Sequence, residues 1–369
     1  NNLIKGLKMQ GLEPYICGFS EDINASYGKN YLIKDNKIIF KYIERKFRHS
    51  KSLSINVNSA YFYKEHLATI LRDLSIDLVI IYSTFSTLLE PLIKIAKKNK
   101  VKVTAYVGEL FAFSIKYLLN GVLYMQYRAY LFSFKLLDGL ICASPRWEHY
   151  SKKIKKRSVL LPTFITEQEL NQRKNFDDKR SFRIVVMSNL SQRELPLILF
   201  KSISKLEDLK EDIELYIIGQ KPKYSFFSPR KSLLRFSLSK IKNLHFTGYL
   251  GNEERDNLLE SSDCFVLLRS PSLETKFLFP VRVGEYLAKR KPLILTDVNP
   301  FNLFFNHKKE VYFISKLNDP NELYKSILDI KYDRDLSKKI SNSGFEYAKK
   351  YFSIDYLGSN VATFLKSIL

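Results

Sequence analysis

The run Asp77-Leu78-Val79-Ile80-Ile81-Tyr82 is almost continuously apolar. A β-strand sends alternate side chains to opposite faces, so such a run must be covered above and below. The same demand returns in Cys264-Phe265-Val266-Leu267-Leu268, a buried strand by its composition. Strands apolar on both faces belong to parallel sheets, whose crossovers lie against the sheet as helices. Helical spacing falls where crossovers are needed, from Tyr63 to Leu74 and from about Thr87 to Lys98. Further strands are read at Pro14–Gly18, Lys37–Ile43, Val101–Tyr106 and Gly139–Ser144, with a long aromatic helical region from Phe113 to Leu136. This alternation predicts an α/β, doubly wound architecture.

The chain has 369 residues, more than one hydrophobic core usually serves, so two domains are expected. The polar stretch Asn171 to Ser181 separates two alternating blocks and is taken as the boundary. Strands of the second block are read at Phe182–Met187, Ile213–Ile218, Asn243–Phe246, Cys264–Leu268, Pro292–Leu295 and Val311–Ile314. Helices follow at about Asn321–Ile330 and Asp335–Lys350.

Composition narrows the functional classes. Hydrophobic residues make up 45%, which excludes a disordered chain. Cys17, Cys142 and Cys264 are too scattered for a zinc site or a disulfide framework and read as small core residues of a reducing, cytoplasmic setting. No apolar stretch reaches the length of a transmembrane helix, and no signal peptide is visible. The chain opens Asn1-Asn2, without a starting Met, so its start reads as truncated. A formal net charge of +22 draws it to an anionic surface. Basic and apolar residues interleave in Lys94–Lys100 and Tyr150–Arg157, a pattern that suits a bilayer surface. No nucleic-acid motif accompanies them, so nucleic acid is not expected as a partner.

One segment carries recognisable chemistry. Phe279-Pro280-Val281-Arg282-Val283-Gly284-Glu285-Tyr286-Leu287-Ala288 follows the Cys264 strand and precedes Lys291-Pro292-Leu293-Ile294-Leu295-Thr296-Asp297. The order is strand, loop, short helix, strand. Pro280 suits a first helical position, and Arg282 and Glu285 share one face of the first turn. A cation beside a helix N-terminus suits a phosphate, and a carboxylate one turn on accepts hydrogen bonds from sugar hydroxyls. Together they meet the needs of a nucleotide-sugar site. The alternative is an ordinary amphipathic helix after a core strand.

This segment resembles the donor-binding motif of retaining glycosyltransferases of the group-one, family 4 type. Many bacterial members carry Phe-Pro-Thr-Lys-x-x-Glu-Tyr-Leu-Ala followed by Gly-Lys-Pro-Val-Ile. Here Arg282 stands for the Lys and Glu285 for the Glu. Gly139–Ser144 with Tyr150 and Leu160-Leu161-Pro162, Leu215–Gly219 and His245–Tyr249 also resemble stretches of that family, so the likeness runs from about Tyr15 to Phe352. It implies two facing Rossmann-like domains, the GT-B fold. Residues 1–175 would bind the acceptor, 176–350 the nucleotide sugar, and 351–369 would form a helix packing back on the first domain.

The resemblance also implies roles. Glu285 would hold the ribose hydroxyls. Arg193, after the strand Phe182–Met187, would face the diphosphate and steady the leaving group; the residue reading alone leaves a solvated arginine equally open. The family's second cation, some six residues earlier, falls near Met187 and is missing. Arg269 either replaces it or is a loop residue. The family's upstream Glu falls at Phe277, with Glu274 three residues away, which puts the donor-sugar contact in question. Glu109 is either an acceptor contact or a helix N-terminal carboxylate. The glycine-rich loop after the family's first strand is not seen.

The activity so implied moves a sugar from a UDP- or GDP-linked donor to a glycan or lipid-linked acceptor, in bacterial surface polysaccharide synthesis. It needs no cofactor and no metal, and it places the protein on the cytoplasmic face of the membrane as a peripheral protein. A non-catalytic GT-B partner or scaffold subunit is the alternative.

Overall fold

The computed structural model describes residues 2–19, 31–34, 37–40, 66–82, 86–108, 128, 131–171, 181–220, 239 and 241–369. They fall into two compact units. The first comprises Asn1–Leu161 with Leu357–Leu369, and the second Pro162–Tyr356.

Among the described residues the first unit holds two sheets. β1 (Ile16–Phe19), β2 (Tyr31–Lys34) and β3 (Lys37–Phe40) form a three-stranded sheet in the order β1-β3-β2. β1 runs parallel to β3, and β2 antiparallel. β2 is not anticipated from the sequence, because four residues ending in Lys give too short an alternation to separate from a loop. β4 (Leu78–Ile81), β5 (Lys102–Val107), β6 (Gly139–Cys142) and β7 (Arg157–Leu160) follow in chain order as an all-parallel sheet. Helix Ser86–Lys98 makes the first crossover. Residues 66–73 and 131–136 are helical too, and most of the aromatic region Phe113–Leu136 lies outside the described residues.

The C-terminal helix Ile354–Ile368 belongs to this unit from Leu357 onward. It comes so close that a Cβ on Gly358 would lie 2.8 Å from the Gly6 Cα, and one on Gly139 would lie 2.5 Å from the Phe364 ring. The Arg157 guanidinium donates to the Ser367 carbonyl at 2.6 Å.

The basic segments sit on the surface of this unit. Lys94, Lys97, Lys98 and Lys100 are exposed, whereas Ile93 and Ala96 are fully buried. The apolar positions therefore serve the core, and what these segments present outward is charge.

The second unit is a single six-stranded parallel sheet in the order β10-β9-β8-β11-β12-β13. The strands are β8 (Phe182–Met187), β9 (Ile213–Ile218), β10 (Leu244–Gly248), β11 (Cys264–Leu267), β12 (Leu293–Thr296) and β13 (Tyr312–Ile314). Every residue of β11 and β12 is buried, as their unbroken apolar runs require. Helix Pro196–Asp208 packs on one face beside helix Pro320–Tyr332, joined by the Ser202 hydroxyl donating to the Pro320 carbonyl at 2.8 Å. The core includes Phe200, Ile203, Leu215, Ile217, Val266, Ile294 and Ile327. Cys142 and Cys264 are buried and free, and burial pushes both thiols up.

The division between units falls at Leu161/Pro162, ahead of the polar stretch taken from the sequence as the boundary. The intervening residues are tied to the second unit. Thr163 Oγ1 donates to the Val281 carbonyl at 3.3 Å, and Ile165 N–H donates to the Phe352 carbonyl at 2.9 Å. Polarity marks a loop; those hydrogen bonds decide which body it serves.

Candidate functional site

β8 and β11 are neighbours in the sheet, but the chain leaves β8 toward β9 and β10 and leaves β11 toward β12 and β13. At such a reversal the loops on either side part and leave a crevice outside the carboxyl ends of the strands. The loops here are 188–195 and 268–272. They are tied where Ser270 N–H donates to the Arg193 carbonyl at 2.8 Å.

The first loop is tightly constrained. Ser188 Oγ accepts from Leu190 N–H at 2.8 Å and donates to Glu194 Oε2 at 2.7 Å. Leu190 and Leu195 take left-handed backbone conformations, φ +53° and +47°, which are unfavourable for a branched side chain. Strain of this kind persists where the surroundings fix it, and it gathers at functional sites. Gly219, at the end of β9, has φ +155°, and a Cβ there would lie 2.1 Å from the Ser188 carbonyl oxygen. Only glycine permits that approach.

Glu194 is the centre of the charged groups. Its side chain is 9% exposed. Oε1 accepts from Arg282 Nη2 at 2.6 Å and lies 3.8 Å from Arg269 Nη2. The Arg282 Nη1 donates to the Met187 carbonyl, and Met187 N–H donates to the Tyr286 hydroxyl at 2.7 Å. Tyr286 is fully buried and stacks on Phe265 of β11, with ring centroids 4.2 Å apart. Helix Arg282–Ala288 is thus fastened to the ends of β8 and β11 by its own Arg and Tyr. Burial raises the Glu194 carboxyl, but the charge and hydrogen bond of Arg282, the Ser188 hydroxyl and the Arg269 charge together bring it below its ordinary value. Arg269 is 8% exposed, and its Nε is buried without a partner. Burial, then the Arg282 charge, lower its pKa to about 10, against the opposing pull of Glu194.

Arg193 lies in a 3-10 turn, Gln192–Glu194, and its side chain is 51% exposed. Its Nε donates to Glu274 Oε2 at 2.6 Å. Glu274 opens the short helix Leu273–Phe277, capped by Ser272 Oγ, which accepts from Thr275 N–H at 3.3 Å.

Glu285 is half-buried, and its carboxylate makes no hydrogen bond among the described residues. Burial raises it; Arg255 and Arg282 pull it down, Glu169 and Asp256 push it up, and the balance stays above the ordinary value. A half-buried carboxylate with no hydrogen bond among the described residues can accept hydroxyl donors. Behind it, Lys289 is buried 3.4 Å from Glu260 and 3.9 Å from Asp256, a charge cluster internal to the fold.

Of the residues singled out in the sequence, Arg193, Arg269, Arg282 and Glu285 come together at the reversal point. Glu109 lies outside the described residues. Pro280 does not occupy the first helical position. It precedes the helix, and its carbonyl accepts Val283 N–H at 3.1 Å in an opening turn. Phe277 supplies no carboxylate, while Glu274 faces Arg193. Glu194 was missed. Its one signal is adjacency to Arg193, and spacing alone does not show that it turns toward Arg282 and Arg269. Arg255, on helix Asn252–Glu260, was missed because no motif spacing links that helix to Glu285.

Among the described residues no group of three or more His, Cys, Asp or Glu is placed to hold a metal ion. Arg193, Arg269 and Arg282 carry forked donors, a geometry that matches phosphate oxygens in general.

Residues 167–347 match the family of glycosyl transferases group 1. No curated protein matches the chain. Among solved structures, sucrose-phosphate synthase from Thermosynechococcus elongatus is similar over 99% of this chain and 91% of its own, with TM-score 0.74 and 13% identity. A glycosyltransferase from Rickettsia africae is similar over 100% of this chain and 93% of its own, with TM-score 0.70 and 16% identity. Anabaena HepE, solved in complex with UDP-glucose, is similar over 82% of each chain, with TM-score 0.63 and 12% identity. At these identities the likeness is one of fold, and that fold is GT-B.

Proposed function

Since residues 167–347 match the group 1 glycosyl transferases, we propose that the second unit of this chain binds a nucleoside diphosphate sugar and that the protein transfers the sugar, with retention of configuration, to a glycan or lipid-linked acceptor. The observation that carries this reading is the convergence of Arg193, Arg269 and Arg282 with Glu285 where the sheet order reverses. Arginines at that point suit a pyrophosphate, and the unpartnered Glu285 carboxylate suits the two hydroxyls of a ribose. When the glycosidic bond breaks, negative charge develops on the departing diphosphate. Fixed cations already in place stabilise it without reorganisation. The UDP-glucose bound by Anabaena HepE supports a uridine-linked donor as the first candidate.

Among the described residues no helix is long and apolar enough to cross a membrane. The net charge of +22 and the exposed lysines of the first unit support peripheral attachment to an anionic membrane, where a lipid-linked acceptor would be met. Synthesis of a surface polysaccharide on the cytoplasmic face fits that placement.

A ligand that binds only the folded protein raises its melting temperature. UDP or GDP is expected to do so for the wild-type chain and to lose the effect in Glu285→Ala. Sugar transfer at an unchanged rate in both Glu285→Ala and Arg193→Ala would overturn the assignment. A non-catalytic GT-B partner is the second reading, favoured by Phe277 in place of a carboxylate. Nucleotide binding with neither transfer nor donor hydrolysis would select it.

A further inference from the structure

At the carboxyl end of the four-stranded sheet, two tyrosines stack on one another. β4 and β5 run parallel with Ile81 opposite Ala105, so the next residues, Tyr82 and Tyr106, are cross-strand neighbours. Their rings lie 4.9 Å apart at an interplanar angle of 16°. Tyr106 is half-buried, whereas Tyr82 is 77% exposed, the most exposed large hydrophobic side chain among the described residues. Tyr106 holds its place through Gly108, where a Cβ would come 2.9 Å from the Tyr106 Cε1.

Another aromatic cluster among the described residues of this unit packs differently. Phe134, Trp147 and Tyr150 meet edge to face around a fully buried indole, as packing rings do. Tyr82 instead lies flat against a supporting ring and offers its other face to solvent. The location is the end of a parallel sheet at which doubly wound domains bind ligands.

We propose that Tyr82, backed by Tyr106, is a stacking platform for a pyranose ring of the acceptor. This rests on the glycosyltransferase reading above. One face of a pyranose carries axial C–H bonds of slightly positive character, which meet the negative face of an aromatic ring. The hydroxyls at the sugar's edge remain in water, so the contact needs no deep pocket.

Saturation-transfer NMR on the full chain, with maltose and cellobiose as probes and UDP measured alongside, tests the platform. Signal transfer to the pyranose C–H protons is expected for wild type, at least fivefold weaker in Tyr82→Ala, and retained in Tyr82→Phe and Tyr82→Trp. Gly108→Ala, which displaces Tyr106, is expected to weaken it too. UDP binding should be equal in all of them. Disaccharide signals that persist in Tyr82→Ala, or that are absent in wild type, would overturn the proposal, as would loss of UDP rather than saccharide on removing the ring. Failure of wild type to bind UDP or GDP, with Tyr82-dependent saccharide binding intact, would remove the donor assignment and leave the platform standing.

Discussion

Glu194 Oε1 receives the Arg282 guanidinium at 2.6 Å and stands 3.8 Å from that of Arg269, so one buried carboxylate balances two of the cations assigned to the donor diphosphate. Its folded pKa lies below the ordinary value. It therefore contributes stability that is complete above the unfolded carboxyl pKa, about 4.3, and is lost as pH falls through the lower folded value. Glu194→Gln leaves the guanidinium charges without their counter-ion. Breaking one side of such a pair costs about 3 kcal/mol. Melting curves should show the variant well below wild type at pH 7, with the two converging as pH drops below about 4. Parallel curves at all pH values would show that the charge of Glu194 is immaterial.

Glu285 is expected to behave in the opposite sense. Burial holds its carboxyl above the ordinary value, so the ionised form disfavours folding. The stability linked to this group is present below a pH of about 4.3 and is lost as pH rises through the raised folded pKa. Glu285→Gln should then melt higher than wild type at pH 7 and no higher at pH 3. The same substitution should weaken UDP about tenfold, because a charged acceptor hydrogen-bonds a hydroxyl about twice as strongly as a neutral one. A gain of stability with loss of affinity is what a residue kept for binding shows.

Arg193 and Arg282 separate binding from folding. Arg193 is half-exposed, and its pair with Glu274 is open to solvent, so Arg193→Ala should leave the melting temperature nearly unchanged. A lost charged contact to phosphate is worth about 1.5–3 kcal/mol, or about 10- to 100-fold in nucleotide affinity. Arg282→Ala should lose affinity as well, and also about 3 kcal/mol of stability, because it strands Glu194 and frees the Met187 carbonyl. Calorimetry with UDP and a melt of each variant check both statements. Equal stability losses in the two would contradict the burial difference between them.

Most strands were legible in the sequence because the physics that places them is local, whereas the short β2 and β7, each carrying a basic residue at one end, were not. Leu78–Ile81 and Cys264–Leu268 have no polar position, and a strand without one must lie in a covered parallel sheet. The positions of Arg282 and Glu285 followed from the turn of one helix. Glu194 was not legible, since its partners are 75 and 88 residues away along the chain, on different elements. Nor was the assignment of Pro162–Asn171 to the second unit, which depends on hydrogen bonds from Thr163 and Ile165 to residues far along the chain. The unpaired, half-buried state of Glu285 likewise depends on Arg255 and Glu169, which no spacing rule connects to it.

Gly219 tests whether the loop that carries Arg193 is held by backbone approach. Leu215–Gly219 resembles a stretch of the family, and the structure gives the reason for its glycine in the Ser188 carbonyl, 2.1 Å from where a Cβ would stand. That atom is backbone, so it cannot swing aside as a side-chain end would. Ser188 also donates to Glu194, which in turn holds Arg282. Gly219→Ala should therefore displace the loop between β8 and the Pro196–Asp208 helix. It should cost more than about 2 kcal/mol, the range of backbone-strain mutations, and weaken UDP although residue 219 bears no charge. Gly248→Ala is the control. It also has positive φ, +73°, but open space around its Cβ position, so it carries the conformational cost without the clash. Nucleotide affinity reduced only in Gly219→Ala would place the effect in the approach to Ser188. Equal losses in both would assign it to backbone conformation at the strand ends.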